Sequence, residues 1–323
     1  MHLRRRIRIA AGCVFAFTAH AVHAQSYPAK PIRMIVPYSP GGGSDAVARL
    51  LGQRMTERFG QTVIIDNRAG AASMIGTELV ARAAPDGHTL LLTDAPVTIN
   101  PFVHAKVNYD VLRDFAPVSL AASSPLMLVV HPSVPAQTLQ EFIALARAQP
   151  GKLSLGSGGN GATTHVVGEM FQQRAGIKLI HVPYKGTGPA LADVVAGQIP
   201  ATFTTTPGAV PFLKAGKLRA LAVTTLKRTQ GAPEVPTFDE VGIRDVEASN
   251  WYGVMAPAGL PKAILTTLNT EIVEAVRAPD LRERLVSLAL EPITTTPEEF
   301  RTFIAAELKK WAAVVKSANI RAE

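Results

Sequence analysis

The chain has 323 residues, 47% hydrophobic and 18% charged, with 25 Gly and 24 Pro. Such a chain can bury one large core or two ordinary lobes, which excludes a disordered protein. The formal charge is +8, yet half of that excess is Arg4, Arg5, Arg6 and Arg8; no later Lys/Arg run suits a nucleic-acid backbone, and no nucleic-acid partner is expected.

Those arginines open an export pattern. An apolar stretch from Ile9 to Ala19 follows, and Val22-His23-Ala24 offers small residues at a cleavage point, so residues 1–24 read as a signal peptide cut near Ala24. Cys13, the only cysteine, is separated from the last Arg by Ile9-Ala10-Ala11-Gly12 alone. That is too short an apolar stretch to precede a lipid-anchored cysteine, so release as a soluble periplasmic protein is expected. The rest of the chain has no disulfide and no thiolate. No later apolar run is long enough to cross a bilayer.

Ile32–Tyr38 reads as an apolar strand, and Pro40-Gly41-Gly42-Gly43-Ser44 as a sharp turn. A helix is predicted from about Asp45, because Val47, Leu51, Met55 and Phe59 recur every four residues and Gly60 can end it. Strand 63–65, helix 74–83 and strand 89–92 continue a β-α-β-α-β rhythm, which predicts a parallel sheet with right-handed crossovers. Strand 126–130 leads to Thr138-Leu139-Gln140-Glu141, a capping box before a helix with Phe142 and Ile143 on its apolar face. Strand 153–155, a glycine-rich turn, helix 164–174, strand 178–182, helix 189–196, strand 201–204, helix 210–215 and strand 219–224 form a second βα series. Strand 251–256 follows, then helices from Lys262 and from Thr296, the latter with Pro297 and Glu299 in its first turn. The C-terminal helices are expected to pack back on the first lobe. The chain thus divides into 25–127 plus 232–323 as one α/β lobe and 128–231 as the other, with crossings near 124–131 and 225–250.

Two turns could carry chemistry. In each, a glycine-rich segment leaves the C-terminal end of a strand and opens a helix, so unpaired N–H groups and the helix dipole favour an anion. The first runs Pro37 to Asp45, with Ser39 and Ser44 as hydroxyl donors; a tight turn with Ser44 or Asp45 as a cap is the plainer alternative. The second runs Gly156 to His165, with Ser157, Thr163 and Thr164. It matches G-x-G-x-x-G through Gly156, Gly158 and Gly161, but the next strand ends His181-Val182-Pro183-Tyr184 without the acid a dinucleotide site needs. Ala162 stands where a phosphate loop has Lys. No cofactor is therefore expected. His165 begins a helix, where the dipole opposes its protonation, so packing is favoured over acid–base catalysis. Neither H-E-x-x-H nor G-x-S-x-G occurs, and after the signal segment no two of His88, His104, His131 and His181 have helical ligand spacing, so neither a metal site nor a hydrolase is expected. Two such turns on two lobes predict one small acid held between opposed helix starts, with closure coupled to capture.

Further segments carry a family resemblance: Val36-Pro37-Tyr38 with Gly41-Gly42-Gly43-Ser44-Asp45; Asp66-Asn67-Arg68-Ala69-Gly70; Pro85-Asp86-Gly87-His88-Thr89-Leu90; Ser157-Gly158-Gly159-Asn160-Gly161; Val182-Pro183-Tyr184-Lys185-Gly186; Lys214-Ala215-Gly216-Lys217-Leu218-Arg219; and Trp251-Tyr252-Gly253. In order and spacing the chain resembles the substrate-binding proteins of tripartite tricarboxylate transporters, also called the Bordetella uptake gene proteins. The resemblance implies a two-lobed α/β periplasmic-binding-protein fold (a Venus flytrap of type II). It implies no catalysis, a periplasmic monomer, and delivery of a small carboxylate to membrane permease subunits. Presentation of the ligand to a membrane sensor, and an exported enzyme using His165, are the other readings. Carried over by position, the resemblance points to Tyr38, Ser39, Gly43, Ser44 and Asp45, to Thr93 and Asp94, to Ser157, Gly161, Thr163, Thr164 and His165, and to Tyr184.

Two positions depart from that pattern. Relatives commonly have a cleft-facing Asp where this chain has Thr204, and small hydroxyl residues where it has Asp94. An acid at 94 that faces the cleft would disfavour a second carboxylate and favour a hydroxyl or amine; a turn-capping Asp94 would do neither. Trp251 and Tyr252 could reach ligand, although packing at the hinge is the favoured role.

Overall fold

The computed structural model describes residues 27–321. The signal segment and Cys13 lie outside them. Among the described residues no helix is long and apolar enough to cross a membrane.

The first unit follows the alternating pattern: β1 (Ile32–Val36), α1 (Gly43–Phe59), β2 (Val63–Asn67), α2 (Met74–Ala81) and β3 (Thr89–Asp94). β1 pairs in parallel with both β2 and β3. Gly60 ends α1 in a left-handed conformation, φ 64°, that lets its N–H reach the Thr56 carbonyl. Both faces of β1 are buried, as a parallel strand between helix layers requires. Ile32, Met34 and Val36 pack on Val47, Leu51 and Met55 of α1. Ile35 faces Val80 of α2 on the other side. Each such side chain, fully buried, contributes about 1.5–3 kcal/mol.

After α3 (Pro96–Val103) comes β4 (Phe115–Val130), a 16-residue strand. The second unit contains α4 (Leu139–Ala148), β5 (Ser154–Ser157), α5 (Thr163–Ala175), β6 (Ile180–Pro183), α6 (Thr187–Val195), β7 (Ala201–Thr205), α7 (Thr206–Lys214) and β8 (Arg219–Val223). β5 pairs in parallel with β6 and β7. Phe142, Phe171, Phe203 and Phe238 fill one side of this sheet, and Met127, Val129, Leu191 and Val194 the other. The chain closes with β9 (Ser249–Pro257), α8 (Lys262–Arg277), α9 (Pro279–Ser287), β10 (Glu291–Pro292) and α10 (Pro297–Ala318).

β4 joins the two units. Up to Pro125 it pairs antiparallel with β9, which borders β3; from Leu126 it pairs with β7 and β8. The return passage lies between Thr224 and Ser249, and Thr224 stitches it to β4: its N–H donates to the Leu126 carbonyl at 2.9 Å and its hydroxyl to the Ala248 carbonyl at 2.6 Å. Between those points Ala232, Val235, Phe238 and Val246 pack into the second unit's cores. A third link is α10. Its Phe300 and Ile304 pack in the first unit, whereas Trp311 and Val315 join the second unit's core. The C-terminal helices therefore do not pack on the first lobe alone.

Candidate functional site

The turn after β1 is shaped by Asp45. Its carboxylate accepts the Gly41 N–H at 3.0 Å, Arg49 Nε at 2.9 Å and Asn67 Nδ2 at 3.0 Å, while Asn67 Nδ2 also donates to the Tyr38 carbonyl at 3.0 Å. Burial alone would raise the Asp45 pKa, but these donors outweigh it and hold the carboxyl below its ordinary range. Asp45 thus clamps the loop and leaves the first N–H groups of α1, at Gly43 and Ser44, with no acceptor inside the helix.

The turn after β5 is held differently. Gly158 N–H donates to Thr164 Oγ1 at 2.9 Å, and Gly186 N–H donates to the Gly158 carbonyl at 3.0 Å, which brings the start of α6 beside the start of α5. No side chain caps the first N–H groups of α5, α6 or α7.

These starts meet around one cavity of about 560 Å³ between the units. Gly43 and Ser44 of α1 with its cap Gly42, Pro96 of α3, Thr163 and Thr164 of α5, Thr187 of α6, and Pro207 of α7 with its cap Thr205 all line it. The sequence points to two helix starts; the structure brings five. Each adds partial positive charge, and no Lys, Arg or His is among the described residues lining the space. Leu126, Leu288 and Leu290 supply apolar walls. An anion held here is bound by amide and hydroxyl groups rather than by a side-chain cation.

Among the described residues lining the cavity the one acid is Asp94. Its Oδ1 accepts from the Tyr38 hydroxyl, and its Oδ2 accepts from Ser44 Oγ at 3.2 Å. Burial raises its pKa to about 6, with hydrogen bonding from Tyr38, Ser44 and Asn250 pulling the other way. Burial and the nearby Asp94 charge push the Tyr38 and Tyr252 phenols well above their ordinary value, so both stay neutral donors. Asp94 lines the cavity and also accepts from the neighbouring turn, so both uses that the sequence leaves open for it are present.

Of the residues singled out in the sequence, Tyr38, Gly43, Ser44, Asp94, Thr163 and Thr164 line the cavity. The others do not, for definite reasons. Ser39 is exposed. Asp45 is consumed by its own loop. Thr93 and Thr204 precede the strand residues Asp94 and Thr205 that do line the space, and successive strand side chains point to opposite faces. Ser157 Oγ lies 2.6 Å from His181 Nε2 and accepts the Gly159 N–H at 3.1 Å. Gly161 is a close-approach point: an added Cβ would meet the Val103 side chain of α3. The Tyr184 hydroxyl donates to Asp193 at 2.7 Å.

His165 lies behind the loop, not in the cavity. Its ring stacks on His181 with centroids 3.7 Å apart and planes 2° from parallel, and its Nδ1 accepts the Gly161 N–H at 3.1 Å. Burial, then the His181 charge, push its pKa down to about 4. An unfolded imidazole takes its proton near pH 6.5, so between those values the unfolded chain binds the extra proton. The stability His165 gives above pH 6.5 is therefore expected to be lost as the pH falls towards 4. Urea midpoints of the wild type and His165→Gln should differ most at pH 7.5 and converge near pH 4. A gap that stays constant over that range would contradict this.

Thr187, Thr205, Asn250, Leu288 and Leu290 also line the cavity, and no sequence motif singles them out. Thr205 has a local signal only, because Thr205-Thr206-Pro207 has the hydroxyl-then-proline form of a helix start. Tyr252, for which the sequence favours packing, lines the cavity with its hydroxyl against Gly43. Trp251 does pack, against Phe300 and Phe303.

Comparison with known proteins agrees with this architecture. The profile of the tripartite tricarboxylate transporter family receptors matches residues 47–320. Protein BugT of Bordetella pertussis is 38% identical over 305 residues, 94% of each chain. A solved structure of a Rhodopseudomonas palustris protein with adipate shares 34% identity and a TM-score of 0.83, covering 91% of this chain and 99% of its own. MatC of the same organism, with bound malate, shares 30% identity and a TM-score of 0.79, covering 90% and 100%. Matched along nearly its whole described length in sequence and in fold, the chain belongs to the tripartite tricarboxylate transporter receptor family.

Proposed function

We propose that this protein is a periplasmic receptor that captures a small organic carboxylate between its lobes and presents it to the membrane subunits of a tripartite carrier, without chemical turnover. The observation that carries this reading is the convergence of helix starts on one cavity that no Lys, Arg or His among the described residues lines. In it the carboxylate takes N–H groups of Gly43 and Ser44 from one side. Thr163, Thr164 and Thr187 supply N–H and hydroxyl groups from the other. The adipate and malate carried by the two Rhodopseudomonas relatives support the ligand class. We assign one lobe to 27–125 plus 249–321 and the other to 126–248, because the return segment packs with the second unit. The enzyme reading lacks support, since His165 is walled off behind its loop.

Binding to the folded state alone raises stability, by about 2.7 kcal/mol at a hundredfold excess over Kd. A thermal-shift screen of small organic acids on metabolite-free protein should therefore give a clear rise for at least one, with no product formed. A flat response to mono-, di- and amino-carboxylates alike would defeat the reading.

A further inference from the structure

We propose that Asp94 makes this cavity select a carboxylate that also carries a protonated amine over a dicarboxylate, the amine docking at Asp94 beside Tyr38, Ser44 and Asn250. The proposal rests on the carboxylate-binding reading above and concerns the other end of the ligand.

The argument begins with charge. Asp94 ends β3 with only 6% of its surface exposed, and it lines the cavity. It accepts two hydroxyl donors, Tyr38 to Oδ1 and Ser44 to Oδ2. These donors, with Asn250 and the Asp94 N–H beside them, are all neutral, so they leave the charge of the carboxylate uncompensated. Among the described residues no cation lines the cavity to neutralise it. A buried carboxylate with donors and no counter-charge is a subsite for a cation brought by the ligand.

The same arrangement acts against a dicarboxylate. Two like charges a few ångströms apart in a partly desolvated space repel strongly. A second ligand carboxylate near Asp94 needs a shared proton, which becomes scarce above the Asp94 pKa of about 6. The titratable groups facing Asp94 are the phenols of Tyr38 and Tyr252, and both stay protonated at neutral pH. They supply donors but no positive charge. The helix starts remain for the ligand's carboxylate, so the cavity has one end for each sign.

The test is calorimetry on the mature protein freed of metabolite, at pH 7.5 and pH 5.0. Succinate, glutarate and adipate are each set against the ω-amino acid and the α-amino acid of the same carbon count, with hexanoate as the plain monocarboxylate. An amino acid is expected to bind at least about tenfold tighter than its dicarboxylate partner at pH 7.5, with that preference shrinking at pH 5.0. In Asp94→Asn the preference should vanish while the carboxylate end still binds. The wild-type panel stands alone if that variant does not fold. Dicarboxylates binding tighter than every amino acid at pH 7.5 would overturn the proposal and leave the carboxylate reading intact. No binding by any member would overturn both.

Discussion

Gly43→Ala is expected to weaken ligand capture severely while leaving the fold in place. Gly43 is the first residue of α1 and has no side chain to fill the cavity mouth. An added Cβ would overlap the Tyr252 hydroxyl and lie 3.0 Å from its Cζ. Tyr252 is buried in β9, shares a core cluster with Val254 and Ala256 of the same strand, and lines the cavity. Relief of the overlap pushes the phenol into the ligand's space and covers the N–H groups at the start of α1. Overpacking of this size costs about 1–3 kcal/mol, and charged to binding it is a loss of about 5- to 150-fold. Stability should change little, because alanine is the better helix residue by roughly 0.5–1 kcal/mol and offsets part of the overlap. Tyr252→Phe removes the overlapping oxygen, so the double variant should regain most of the lost affinity. Calorimetry with the tightest acid from the screen, alongside melting curves, reads both quantities. An unchanged Kd in Gly43→Ala, or no recovery in the double variant, would show that Tyr252 does not guard this entrance.

The same neighbourhood shows why the sequence was legible in part. Strand, turn and helix of each βα unit follow from apolar periodicity and glycine placement, and both glycine-rich turns sit where that pattern puts them. What the pattern cannot carry is parity within polar strand ends. Thr93-Asp94 and Thr204-Thr205 are adjacent polar pairs, and only pairing partners decide which member faces the cleft. Hydroxyls and acids in a glycine loop have a second use, binding their own backbone, which is where Ser157 and Asp45 went. Tertiary pairing also overrode local propensity. Residues 115–125 include Pro117, Pro125 and several Ala and Ser, and they form a strand because β9 pairs with them. Helix α3 has Pro101 inside eight residues and was not anticipated for that reason. Leu288 and Leu290 reach the cavity from a region far along the chain, which no local signal announces.

Glu307→Leu should produce the largest loss of stability among single polar-to-apolar changes here. Glu307 is buried at 5% exposure on α10, where that helix passes from one lobe's core to the other's. Its Oε2 accepts two indole donors, Trp251 Nε1 at 3.2 Å and Trp311 Nε1 at 3.0 Å, and Oε1 pairs with Lys310. Trp251 belongs to β9 and Trp311 to the second lobe's core, so one carboxylate ties strand and helix together. Both indoles are at most 1% exposed and water cannot replace the lost acceptor. Each orphaned donor costs about 1–3 kcal/mol, and after the apolar gain from leucine the net loss should be about 2–4 kcal/mol. Glu307→Gln keeps an oxygen acceptor and loses only the charge assistance, about 1 kcal/mol. Urea unfolding followed by tryptophan fluorescence separates the two, since both reporters sit at the site. If leucine proves no worse than glutamine, the indoles are not held by this carboxylate, and packing of Trp251 on Phe300 and Phe303 must carry the junction instead.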